Sequence, residues 1–146
     1  MDAKDLSKEA PRSPKVRIHD YVILARAIDK CRAEIACQLA EYHYDCPLDQ
    51  MLFSFKGVDG AAMKRIVESG ASDEQIARWL DAHGAPKTRD EVRSWSDGLE
   101  AYSLYNNLEK RAYFVSECER LGLDPKRTTM FEWLEADDAA SFAGVR

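Results

Sequence analysis

The chain has 146 residues, 45% hydrophobic and 32% charged, with 21 Lys and Arg against 26 Asp and Glu for a formal charge of −5. A chain of this size buries roughly two-thirds of the surface its unfolded form exposes, and only seven glycines and five prolines exclude collagen-like, low-complexity and wholly disordered classes. The acidic balance argues against nucleic acid as a partner, because non-specific nucleic-acid affinity comes from phosphate neutralisation by a basic face.

Met1-Asp2-Ala3-Lys4-Asp5 lacks the apolar stretch of a secretory signal, and the longest apolar run, Tyr21 to Ala25, falls far short of the ~20 residues that span a bilayer. A cytoplasmic protein without membrane association is expected. The four cysteines, at 31, 37, 46 and 118, include no C-x-x-C pair and fit no zinc-module spacing, so reduced thiols and no cofactor are expected.

Residues 1–19 read as an extended arm, since Pro11 and Pro14 turn their predecessors away from helical backbone and no apolar period is present. The single domain then occupies 20–146. Leu24, Ile28, Cys31, Ile35, Leu39 and Tyr42 fall within an arc of roughly 80° and predict one long amphipathic helix that stops before Cys46. Pro47 ends it, and Asp49 is expected to cap a short helix carrying Met51, Leu52, Phe53 and Phe55. Asp59 precedes a helix with Met63, Ile66 and Val67, and Gly70 closes it. Ser72 with Gln75, Thr88 with Glu91 and Thr129 with Glu132 are capping-box pairs that open three further helices. Gly84 stops the first of these, and a long helix is predicted from about Leu104 to Leu121 before Gly122. No stretch alternates apolar and polar residues for long enough to predict a strand. The fold class is all-α, a compact single domain of about six to seven helices with an extended N-terminal arm.

Pro11-Arg12-Ser13-Pro14, then Tyr21-Val22, Arg26, Ile28-Asp29-Lys30, Arg32-Ala33, Cys46-Pro47-Leu48-Asp49 and Phe53-x-Phe55 resemble a bacterial family, the domain of unknown function five thousand and sixty-nine. The resemblance continues through Ser72-Asp73-Glu74, Trp79 and Trp95. It implies a bacterial, cytoplasmic, single-domain protein and carries no catalytic residue with it.

Two groups of residues could carry chemistry. Arg26, Asp29 and Lys30 lie on the side of the first helix away from its apolar seam, and Arg12, Lys15 and Arg17 put further cations on the stiff arm. Arm and helix together are read as a basic patch for a carboxylate, a phosphate or an acidic segment of a partner, with Asp29 orienting Arg26 or Lys30. Without a ligand, the same residues would form a solvated face of weak ion pairs. His43, Cys46 and Asp49 form the second group, where imidazole, thiol and carboxylate meet at a helix end and could hold a metal or activate a thiol. The structural reading of that group makes Cys46 a small buried apolar residue, Pro47 the start of a turn and Asp49 an N-cap.

No phosphate-binding glycine loop, G-x-S-x-G or H-E-x-x-H motif is present. With no catalytic residue assigned, the sequence points to a binding or regulatory module that engages a protein partner or a small anionic ligand through Arg12, Lys15, Arg26, Asp29 and Lys30. The alternative is a small enzyme or a metal or thiol site around His43, Cys46 and Asp49.

Overall fold

A computed structural model describes residues 2–143. Among the described residues, seven α-helices follow the arm: α1 Leu24–Ile35, α2 Pro47–Lys56, α3 Gly60–Glu68, α4 Asp73–Ala82, α5 Arg89–Ala101, α6 Arg111–Leu121 and α7 Met130–Ser141. A single 3-10 turn, Leu104–Asn106, lies between α5 and α6. Among the described residues the only extended pairing is an isolated bridge between Ile18 and Tyr21. None of the described helices is long and apolar enough to cross a membrane.

The centre of the domain is α1, which packs against α2, α3 and α4. Every residue from Leu24 to Cys31 is buried, so the polar side of this helix is not solvated over its first two turns, and exposure begins in the last turn, where Ile35 is 41% exposed. Its apolar side chains join Leu52, Met63, Ile76, Leu80, Phe114 and Phe131 in one core. Burying each large aliphatic or aromatic side chain contributes ~1.5 to 3 kcal/mol.

The three capping boxes form as the sequence predicts. Ser72, Thr88 and Thr129 accept from the backbone N–H three residues on, and Gln75, Glu91 and Glu132 reach back to the cap N–H. Asp59 likewise caps α3. Past the end of α4, Gly84 stands at φ 70° with its Cα against the Lys56 carbonyl, where a β-carbon would collide.

Two predicted helices are shorter in the structure. The first ends at Ile35, not Tyr42, because Ala36 and Cys37 form a Schellman stop: Gln38 N–H donates to the Ala33 carbonyl at 2.7 Å and Cys37 N–H to that of Glu34 at 3.1 Å. Cys37 occupies the left-handed position at φ 57°, where a glycine would have announced the stop. The segment 36–46 therefore runs as turns, and Ala40 and Asp45 also adopt positive φ. The predicted Leu104–Leu121 helix is interrupted at Asn107, whose side-chain carbonyl accepts from the Glu109 and Lys110 amides. That local alternative competes with helix, and α6 begins only at Arg111.

The arm is pinned along its length. Leu6, Pro11 and Pro14 are buried, Leu6 N–H donates to the Gln38 carbonyl and Ile23 N–H to that of Pro14, both at 2.9 Å.

Candidate functional site

The polar side of α1 is where the structure departs most from a solvated face. Arg26 is 3% exposed, Asp29 5% and Lys30 3%. Each finds its partner on a different element. Arg26 donates to both oxygens of Asp138 on α7, at 2.8 and 3.2 Å. Asp29 accepts from the Arg12 side chain and from the Arg12 backbone N–H at 2.8 Å, with Lys4 3.8 Å away. Lys30 reaches Asp49 on α2 at 2.9 Å. An ionised group out of water must be paired, and a buried pair fixes geometry more reliably than it adds net stability. Asp29 therefore orients Arg12, not Arg26 or Lys30. Arg12 also joins Asp73, which binds Arg32 as well, and Lys15 pairs with Glu135 at 3.0 Å.

Arg17, the sixth residue of the first group, pairs with Asp97 on α5 at 2.8 Å, and the other five divide by position. Arg12, Lys15 and Asp29 fasten the arm to α1, α4 and α7. Arg26 and Lys30 instead reach the wall of a cavity of about 840 Å³ bounded by the arm, α1, the 36–46 segment, the start of α2 and α7. Leu48, Leu134 and Phe142 give it apolar surface, and Glu41 and His43 stand at its exposed rim. Asp49 and Asp138, which hold these two cations, are not among the residues that line it. Asp137 does line it, held by Arg120 at 2.6 Å. Tyr42, also on the wall, spends its hydroxyl on Asp138 at 2.7 Å, and burial raises its pKa.

The second group converges on the same cavity through Cys46, with corrections to each role. Asp49 does not cap α2. It sits at the third helical position, wholly buried, and accepts from the Asp45 N–H at 2.9 Å. Burial pushes its carboxyl up in pKa, opposed by Lys30 and by the amides of Asp45 and Cys46. Pro47 is the first helical residue and not a turn, a position that suits its missing N–H. Cys46 is the N-cap, half-buried and not buried, and its Sγ accepts from Lys30 Nζ at 3.2 Å. His43 is exposed, and no three His, Cys, Asp or Glu side chains meet as a metal-holding group among the described residues. The other cysteines differ. Cys31 and Cys118 are buried and Cys37 is exposed, and burial pushes the Cys31 thiol up to about 12.

Ser141, Phe142 and Leu6 line this cavity and carry no local sign of it, and Asp138 holds one of its cations. The single hint in the sequence for Asp138 is the acidic run Glu135, Asp137 and Asp138 near the end of the chain.

The chain matches a family model described as Domain of unknown function (DUF5069) over residues 8–140 and belongs to that family. The matched span takes in most of the arm, α1 to α6, most of α7, and all the candidate residues of both groups. No curated protein matches the chain.

Proposed function

We propose that this protein is a small binding module of the cytoplasm whose cavity between α1 and α7 receives a small organic anion. The observation that carries this reading is the placement of Arg26 and Lys30 on the cavity wall, each paired with a carboxylate, Asp138 and Asp49, that does not line it. Past Glu41 at the rim and Asp137, which Arg120 engages, a carboxylate or phosphate that reaches Arg26 and Lys30 meets positive charge in a setting partly removed from water, where charge-assisted hydrogen bonds are strong. Lys30 stands 2.9 Å from Asp49 in ionic contact and donates a hydrogen bond to Cys46 Sγ at 3.2 Å. The apolar patch of Leu48, Leu134 and Phe142 suits a carbon skeleton, and the volume falls within the ~300 to 1,000 Å³ of ordinary small-molecule sites. Four free cysteines fit a reducing compartment.

The test is a thermal-shift series with succinate, malate, citrate and inorganic phosphate, run on the native chain and on Ser141→Trp. Ser141 is exposed and lines the cavity, so an indole there fills the space and leaves the buried ion pairs untouched. At least one anion is expected to raise the Tm of the native chain by several degrees, as ligand in ~100-fold excess over its Kd stabilises by ~2.7 kcal/mol. Ser141→Trp is expected to keep its own Tm and lose that shift. Equal shifts in both proteins, or none in either, would overturn the assignment.

A further inference from the structure

The cavity holds a second chemical feature that anion binding leaves unused. Cys46 stands at the N-terminus of the ten-residue α2, half-buried, on the cavity wall. Its sulfur is 3.2 Å from the ammonium of Lys30, a side chain 97% withdrawn from solvent and held in place by Asp49 at 2.9 Å. Asp49 Oδ1 is fully buried and, although in ionic contact with that ammonium, is not aligned for a hydrogen bond with any group. Cation, carboxylate and thiol are thus packed together, with the cation and the thiol on the wall of a space that a small molecule can enter. Among the described residues Cys46 is the one cysteine whose sulfur accepts a hydrogen bond from a cation. A neighbouring lysine, a helix N-terminus and partial exposure are the surroundings in which thiols become reactive.

We propose that Cys46 is a peroxide-reactive thiol, oxidised to the sulfenic acid by a hydroperoxide, with Lys30 as the acid for the departing oxygen. The Cys46 thiolate attacks one oxygen of hydrogen peroxide, an S–O bond forms and the O–O bond breaks. The electron pair leaves on hydroxide, which takes a proton from the Lys30 ammonium and departs as water. Lys30 then recovers a proton from solvent. Sulfur loses two electrons and the peroxide gains them, so the products are Cys46 sulfenic acid and water. Only Cys46, Lys30 and a small oxidant are required, and the step shares the cavity with the anion without depending on it.

The experiment treats the full chain with hydrogen peroxide in the presence of dimedone, a trap for sulfenic acid, and quantifies the adduct on each cysteine by peptide mass spectrometry. Cys37, exposed on the same molecule, is the internal standard. The Cys46 adduct is expected to form about tenfold or more faster than that of Cys37 in the native state, with the two rates equal in denaturant. A Cys46 rate no greater than that of Cys37 would overturn the proposal. In Lys30→Gln, Cys46 is expected to fall to the Cys37 rate, and persistence of fast reaction in a folded variant would remove Lys30 from the step. If circular dichroism shows Lys30→Gln unfolded, Lys30→Arg takes its place. It keeps the cation but moves its hydrogens, and retention of the full native rate would count against the role given to the Lys30 ammonium.

Discussion

Arg26 has little water to replace a lost partner. Its side chain is 4% exposed, and Asp138 meets it from a position 112 residues away in the chain. Removing one member of such a pair leaves a buried charge without compensation, a loss of ~3 to 5 kcal/mol in buried pairs of this kind. Asp138→Ala is therefore expected to lower the Tm by roughly 10 °C, using the few degrees per kcal/mol typical of a domain of this size. Asp138→Asn should lose less, since an amide oxygen can still accept from Arg26 and from the Tyr42 hydroxyl. Thermal unfolding followed by circular dichroism checks both, and an Asp138→Ala protein as stable as the native chain would mean that water reaches Arg26. The same principle explains why these residues were hard to read. Arg26, Asp29 and Lys30 sit opposite the apolar seam, and local sequence assigns that side of a helix to solvent. Their partners lie on the arm, α2 and α7, and no local pattern reports a contact of that range.

At the scale of elements, the signals that could be read were short-range ones. A capping box spans four residues and needs no tertiary information, and all three formed. The end of α1 depended on a left-handed residue that is a cysteine, and the apolar period continues past it through Leu39 and Tyr42, which lie beyond the helix, half-buried. The docking of the arm on α4 gives a pH-dependent prediction. His19 places Nδ1 2.7 Å from Asp81 and Nε2 2.9 Å from Glu74. Asp81 also accepts from the Tyr21 hydroxyl, Arg89 lies 3.8 Å from it, and Arg78 binds Glu74. The hydrogen bond to Asp81 leads in raising the His19 pKa above its ordinary 6.5, with Glu74 adding to it against partial burial. A histidine whose folded pKa is raised adds stability that is complete below its unfolded pKa and is lost as pH rises through the folded one. His19 also adopts φ 49°, a backbone region that asparagine tolerates. The Tm advantage of the native chain over His19→Asn is thus expected to be largest near about pH 6 and to shrink by about pH 9. An advantage that grows with pH would reverse the sign and sink this reading of the arm contact.

For the whole molecule, the arrangement is an acidic all-α domain in which an arm, a central helix and the last helix are tied by ion pairs around one cavity. The two residue groups considered separately in the sequence meet there, because Lys30 contacts both Asp49 and Cys46 while Arg26 lies one turn earlier on the same helix. Arg12 and Lys15, which the sequence offers as ligand contacts, are engaged with carboxylates in fastening the arm. Amide chemical-shift mapping with the anion that most stabilises the protein separates these possibilities directly. Binding in the cavity is expected to move the resonances of Ala40, Glu41, Cys46, Ser141 and Phe142, and to leave those of Lys15 and Val16 in place. Shifts confined to the arm around Arg12 and Lys15, with the cavity residues unmoved, would contradict the cavity as the binding site.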